Sequence, residues 1–345
     1  MVRIRDLARQ LNISIGTVSR ALNGRADVNA LTRQRVSEAA TRMGYSPNQS
    51  ARSLRRGRTD LVGMIVPTGS RERTIDAVFQ PVLDGLRRRL GQEGLDLAIF
   101  LHGRDEELFG SLKRVVERGL VDALIVSNTL TKDPRIDYLV ARGTPFAAFG
   151  RSKSIGEFPW VDPDFERAVE SGVARLVALG HRKIGLLTTD DPANYVALIR
   201  AAHRRALRRL KLPVDARIDL TAPPGEAGGV EAVGALLDED RASAVLVADP
   251  QHAAGLYAGL AARGLAVGED LSVMGVLPGP YVDFLAPALA AFMTDWTAIG
   301  VMLAEALARA LSGTDGEGPV REVTPVHYRD GGSVGRARVQ IGAHA

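Results

Sequence analysis

Within seven residues the chain places Ser14, Thr17, Ser19 and Arg20 around Ile15, Gly16 and Val18. A guanidinium fork matches guanine O6 and N7 in a DNA major groove. Hydroxyls and amides suit phosphate oxygens, which position a protein without reading sequence. On that chemistry Ile15, Gly16 and Arg20 are the candidate base-facing positions, and Ile15 can offer only an apolar contact such as one to a thymine methyl. Ser14, Thr17, Ser19, Asn23, Asn29 and Thr32 are candidate phosphate donors. Charge agrees with this reading. Residues 1–60 hold twelve arginines against four acids, a balance of +8, while the rest of the chain holds 32 basic and 36 acidic groups, or −4. A basic head on a slightly acidic body suits a polyanion as partner, although charge alone also fits a solvated arginine-rich face.

Other chemistry finds less support. The chain has no cysteine, so disulfides, thiolate metal sites and cysteine nucleophiles are excluded. His181 sits in a Leu-Gly-His-Arg turn between a helix and a strand, where a structural role is expected. His102, His203, His252 and His327 lack the spacing of a metal pair. Asp190-Asp191 reads as a solvated loop rather than an acid–base pair. No phosphate-binding glycine loop or Gly-x-Ser-x-Gly elbow occurs. The expectation is a protein that is not an enzyme and needs no cofactor or metal. No apolar run is long enough to span a membrane, and the charged opening Arg3-Ile4-Arg5-Asp6 is unlike a signal segment, so a cytoplasmic location is expected.

The elements that must position these residues follow from periodicity. Ile4, Leu7, Ala8 and Leu11 make one stripe of a helix. Ser14 can cap a second helix whose buried face is Val18, Ala21 and Leu22, with Asn23-Gly24 as its stop. A third helix runs from about Leu31 to Met43 with Val36, Ala39, Ala40 and Met43 inward, and Gly44 follows as its C′ residue. Three short helices with a tight turn between the first two form the helix-turn-helix pattern, with the second helix in the groove; the same pattern also suits a generic three-helix cap. Next, Pro47/Asn48 to Gly57 can form a helix with only Ala51 and Leu54 as an apolar edge. So thin and short a helix is unstable alone. Leu54 between Arg52, Arg55 and Arg56 fits a minor-groove wedge, with arginines on the phosphates while the leucine pries a base step apart; a flexible basic linker is the alternative.

The chain resembles the lactose-repressor family. The carrying segments are Ile4-Arg5-Asp6-Leu7-Ala8, Ser14-Ile15-Gly16-Thr17-Val18-Ser19-Arg20-Ala21-Leu22-Asn23-Gly24, Gly44-Tyr45-Ser46-Pro47-Asn48 and Ala51-Arg52-Ser53-Leu54-Arg55. The strand Val62-Gly63-Met64-Ile65-Val66-Pro67 follows them. The resemblance implies a homodimer, here a repressor, reading a palindromic double-stranded operator. It also implies a hinge helix folded on DNA. Its base-reading positions fall on Ile15, Gly16, Arg20, Leu54 and Arg55, with Asn48 and Arg52 added to the phosphate set. Gly16 departs from the larger side chains often found there, so one base contact is expected to be missing.

Beyond residue 60, apolar runs alternate with amphipathic stretches. Strands are expected at Leu61–Val66, Leu95–Leu101, Val121–Ser127, Phe146–Phe149, Lys183–Thr188, Ala244–Ala248 and Leu271–Val276, with helices such as Phe79–Leu90 and Phe165–Leu179. Alternation of this kind predicts parallel sheets covered on both faces, and roughly 270 residues of it is too much for one core. The resemblance implies an α/β two-lobed body of the periplasmic-binding-protein-like fold after the all-α head and hinge. The expected division is 1–46 for the head, 47–58 for the hinge and 60–330 for the body. Lobe 1 takes about 60–160 plus 292–322 and lobe 2 about 161–291 plus 323–330, and 331–345, rich in Gly and Arg, reads as a disordered tail.

Ligands of this fold bind between the lobes, and the resemblance implies a small-molecule effector there. The sugar-binding pattern of an Arg, an Asn-Asp pair and an Asp falls here on Ile199, Asp249-Pro250 and Leu277, with Arg200 turned elsewhere on its helix. Phe79, Asp162 and Asp249 survive, joined by Arg151, Trp160 and Tyr195; Phe79 and Trp160 suit core packing equally well. A sugar hydroxyl left unpartnered in a buried cleft costs about 1–3 kcal/mol. Three losses argue against an ordinary sugar pocket and for a less polar or unusual effector, or for a cleft that has lost its ligand. A solute-binding protein and an effector-independent DNA-binding regulator are the alternatives.

Overall fold

Leu7, Val18 and Val36 have no exposed surface, and one side chain comes from each of three helices. In the computed structural model these are α1 (Ile4–Leu11), α2 (Ile15–Leu22) and α3 (Ala30–Met43). The structure describes residues 2–22, 25, 27–45, 57–67, 78–102, 107–238, 242–313 and 318–338. The chain divides into two units, 1–59 and 60–345. In the first, Ala8, Ala21, Val28, Ala39 and Ala40 complete the small core, with Ile4, Leu11, Ile13, Leu22 and Met43 packed around it. Asn12 ends α1 with φ 53° and Gly44 ends α3 with φ 63°, each turning its backbone N–H onto the last carbonyls of its helix. That is the left-handed stop expected of Gly44.

The second unit carries two six-stranded sheets. The first contains β1 (Leu61–Pro67), β2 (Asp96–His102), β3 (Ala123–Val126), β4 (Phe146–Phe149), β5 (Trp160–Pro163) and β11 (Arg321–Thr324), in the order β11-β5-β4-β3-β1-β2. All its pairings are parallel. The second contains β6 (Ile184–Thr189), β7 (Asp219–Ala222), β8 (Ala244–Val247), β9 (Ser272–Val276), β10 (Ala290–Met293) and β12 (His327–Arg329), in the order β12-β10-β9-β8-β6-β7. Only β12 runs antiparallel to its neighbour. Helices α4 (Phe79–Gln92), α5 (Leu108–Glu117), α6 (Pro134–Arg142) and α11 (Trp296–Ser312) accompany the first sheet. The second has α7 (Phe165–Ala178), α8 (Asn194–Arg209), α9 (Glu226–Leu237) and α10 (Pro250–Ala262).

The chain passes between the lobes three times: after β5, after β10 and after β11. Sheet pairing moves the expected divisions by two or three residues. Val161–Pro163 and Val323–Thr324 pair in the first sheet, while Phe292 and Met293 pair in the second. Two of the passages lie side by side, with Thr294 Oγ1 donating to the Pro325 carbonyl at 3.1 Å.

The expected disordered tail is corrected for residues 331–338, which are part of lobe 2. Ser333 is fully buried. Its hydroxyl donates to the Val273 carbonyl at 2.6 Å and accepts from the Ala290 N–H at 2.8 Å. The glycines there serve close approach: a Cβ on Gly331 would stand 2.4 Å from the Ala288 carbonyl oxygen. The rest of the tail lies outside the described residues. His181 takes the structural role expected of it. Its ring bridges Ser243 Oγ at 2.9 Å and the Gly335 carbonyl at 3.0 Å, pinning this segment.

Helices α4 and α11 meet backbone to backbone. A Cβ on Gly85 would lie 2.1 Å from the Thr297 carbonyl oxygen, and one on Gly300 would lie 2.1 Å from that of Val82. Neither carbonyl can yield without moving a helix. Gly300→Ala is therefore expected to destabilise the body by about 1–3 kcal/mol or more, read as a lower urea midpoint of the second unit.

Candidate nucleic-acid interface and ligand cleft

The first turn of α2 is set by its cap. Ser14 Oγ accepts from the Thr17 N–H at 3.0 Å and shares a hydrogen bond with Thr17 Oγ1 at 2.9 Å. This satisfies one of the free donors at a helix start. With Val18 and Ala21 buried, the opposite face carries Ile15, 45% exposed, exposed Gly16, and Arg20, whose side chain is 55% exposed. The three candidate base-facing positions of this helix thus share its outward side. Nothing in the fold demands glycine at 16: a Cβ there would meet only Ser14 Oγ, at an ordinary 3.6 Å.

Asn29 caps α3, its Oδ1 accepting from the Leu31 N–H at 2.8 Å. That leaves its side-chain amide N–H groups outside the cap. Thr17, Ser19 and Thr32 are half-buried at the surface. Asn23, Asn48, Arg52, Leu54 and Arg55 lie outside the described residues. Two residues that periodicity missed shape the same region. Arg33 donates from Nη2 to the carbonyls of Arg25 (3.0 Å) and Val28 (3.2 Å), and Asp27 Oδ2 approaches Arg20 Nε at 3.7 Å. An acid within so basic a head was the available signal for Asp27; nothing local marks Arg33.

In the body the candidate ligand residues separate. Arg151 and Asp162 come together, Nε to Oδ2 at 2.7 Å, and Glu166 from lobe 2 joins them at 2.9 Å from Arg151 Nη2. Burial pushes the Asp162 carboxyl above the usual carboxylate range, and Arg151 pulls it back in part. Phe79 is buried edge-on to Phe149 (6.3 Å), which meets Trp296 in the same way (6.4 Å). Tyr195 stacks on Phe165 at 5.5 Å. Trp160 is not part of that group: it packs with Phe146 and Phe158 in a different cluster of lobe 1, the core role its ring also suited. Asp249 spends Oδ1 as the cap of α10, accepting from the N–H groups of Gln251 (2.7 Å) and His252 (3.0 Å).

Two of the positions that the sugar-binding pattern falls on are apolar. Ile199 is fully buried and Leu277 nearly so, both in the cluster that holds Phe79 and Trp296. Leu277 adopts φ 52°, a left-handed conformation that suits Asn or Asp better than leucine. Arg200 turns away as expected, to Thr221 Oγ1 at 2.6 Å and Asp219 Oδ1 at 3.0 Å. Asn194, unforeseen from sequence, ties the lobes together. Its N–H donates to the Thr129 carbonyl (2.7 Å), its Nδ2 to the Arg151 carbonyl (2.9 Å), and its Oδ1 accepts from Thr131 Oγ1 (2.9 Å). Asp191 turns inward on its own loop, accepting from the Ala193 N–H at 2.9 Å.

Ser14→Ala removes the cap that starts α2. It should cost about 1 kcal/mol of local stability, seen as roughly fivefold faster hydrogen exchange of the α2 amides in the full chain.

Two family models match this chain. Residues 3–48 match "Bacterial regulatory proteins, lacI family", and residues 173–334 match "Periplasmic binding protein-like domain". The chain is similar to the HTH-type transcriptional regulator RafR of Escherichia coli, 30% identical over 94% of this chain and 96% of that protein. It is also similar to AglR of Rhizobium meliloti (strain 1021), 32% identical over 80% and 79%. Among solved structures, the lac repressor dimer bound to operator and the anti-inducer ONPF has a TM-score of 0.83 at 23% identity, covering 96% of this chain and 98% of that one. The regulator CelR in complex with cellobiose has a TM-score of 0.72 at 24% identity, covering 96% and 100%. At such identities the structures speak to the fold.

Proposed function

Because the chain belongs to the lacI family of bacterial regulatory proteins, and is thus a DNA-binding transcription regulator, we propose that it acts in the cytoplasm as a homodimeric repressor on a palindromic operator. The observation that carries this is the outward face of α2, where Ile15, Gly16 and Arg20 stand together above a buried Val18 and Ala21. Arg20 pairs with a guanine, Ile15 makes an apolar contact, and Ser14, Thr17, Ser19, Asn23, Asn29 and Thr32 meet phosphates. Asn48 and Arg52 hold the backbone while Leu54, beside Arg55, wedges the minor groove at the operator centre. Homodimerisation is supported by β2, the edge strand of the first sheet, which leaves Ile99 38% and Leu101 64% exposed. An apolar open edge is a liability unless another surface covers it.

The effector of the cleft is proposed to be less polar than a sugar. Relatives include a complex with cellobiose, but here Ile199 and Leu277 bring apolar groups, and Arg151 is already paired with Asp162 and Glu166. A second reading, DNA binding without an effector, is favoured by the bonds of Asn194, which join the lobes using the chain's own groups. In the first reading a ligand shifts the lobe arrangement and with it the spacing of the two hinge segments in the dimer.

Selection from a randomised duplex pool tests the DNA reading. A palindromic consensus is expected, with affinity falling steeply with salt; no preference for any duplex would remove it. Arg20→Ala should relax one base pair per half-site by about 1–3 kcal/mol. Leu54→Ala should weaken the operator at least about tenfold more than random DNA, and equal losses on both would contradict the wedge. For the cleft, thermal-shift screening should show no stabilisation by glucose, cellobiose or raffinose and a shift with apolar or acidic metabolites. The reverse pattern would restore a sugar site, and no shift with any compound would leave the effector-independent reading.

A further inference from the structure

Each described acid of the head except one has a structural task. Asp6 accepts from the Arg3 N–H at the start of α1 (2.8 Å), and Glu38 accepts from Gln34 Nε2 one turn away on α3 (3.0 Å). Asp27 caps no described helix. Its side chain is 61% exposed, and its Oδ2 faces Arg20 Nε at 3.7 Å. A carboxylate on a DNA-binding head repels phosphates and lowers affinity for every duplex, and an exposed ion pair contributes little stability in return. Its position is nonetheless held from both sides. The Arg25 N–H donates to the Arg20 carbonyl (3.1 Å), tying the turn to the end of α2, and the Val28 N–H donates to the Arg25 carbonyl (3.3 Å). Val28 is buried in the head core, and Arg33 clamps the carbonyls of Arg25 and Val28 from α3.

The atoms that meet give this arrangement a use. Bidentate recognition of guanine O6 and N7 can be made with the two terminal nitrogens of an arginine. Asp27 approaches the third nitrogen, Nε, and so leaves the terminal pair available. Its charge also disfavours a phosphate at the same place, the competing partner for an exposed arginine beside a duplex.

We propose that Asp27 is a positioning residue for Arg20: it holds the guanidinium by Nε so that the terminal amines face the base, and the pair sets the base preference rather than Arg20 alone. This rests on the base-reading role proposed for Arg20 above. The two proposals part in one experiment on the full chain. Wild type, Asp27→Asn, Asp27→Ser and Arg20→Ala are passed through selection from a randomised duplex pool, then titrated at one fixed salt with the duplex selected by wild type and with a scrambled duplex. Asp27→Asn and Asp27→Ser are expected to flatten the same base-pair column as Arg20→Ala. They should lower the ratio of selected to scrambled affinity by roughly fivefold or more, while affinity for the scrambled duplex holds or rises because a repelling charge has gone. Asp27→Glu, which keeps the charge, should recover part of the ratio. An unchanged ratio in both Asp27 variants, with Arg20→Ala still relaxing the profile, overturns the positioning role and leaves the reading of Arg20 intact. A wild-type profile for Arg20→Ala overturns both.

Discussion

The head depends on one packing contact. Leu7, Val18 and Val36, one from each helix, are completely buried against each other's neighbours in a core of eight small and medium side chains. That contact decides which way α2 faces. A helix buried through Val18 and Ala21 must turn Ile15, Gly16 and Arg20 outward, because residues three and four apart share a face. A core so small has little to spare, so the helix ends matter. Ser14 starts α2, Asn29 starts α3, and left-handed Asn12 and Gly44 stop α1 and α3. Each removes a free backbone group that would otherwise weaken an eight- to fourteen-residue helix.

The body solves a different problem. Two six-stranded sheets, parallel except at β12, are threaded by one chain that passes between them three times, so each lobe is completed by segments distant in sequence. β11 closes the edge of the first sheet, while β12 and the buried Ser333 segment finish the second. One buried cluster, from Val62 and Phe79 of the first lobe to Leu246 and Met274 of the second, runs through both lobes. The lobes are joined by the bonds of Asn194 and by the Arg151–Glu166 pair. Ile199 and Leu277, the positions where the resemblance puts sugar-binding groups, are buried in the apolar core.

Much of this was legible in local patterns. The three helices of the head, the cap at Ser14, the stop at Gly44, the outward set of α2 and seven strands of the body follow from spacing, because hydrophobic period and capping residues act over a few positions. The same local signals misled where backbone packs on backbone. Gly331, Gly332 and Gly335 resemble a loose tail, yet small residues are what a chain needs to lie against Ala288 and Gly268. Strands β5, β7, β11 and β12 each carry a charged residue within three or four positions, so no apolar run marks them as one marks the equally short β3, β4 and β8.

Residue identity and spacing thus gave the basic head and the outward set Ile15, Gly16 and Arg20 of α2, since each is a matter of charge or local period, while the resemblance pointed to Ile199 and Leu277. Folding settled the partners. Asp27 meeting Arg20, Asn194 bridging to Thr129, Thr131 and Arg151, and Trp160 packing away from Phe79 join residues through distances in space that no spacing along the chain encodes. The physical reason is that periodicity records which face of an element is buried, whereas the chemistry of a site depends on which element that face is buried against.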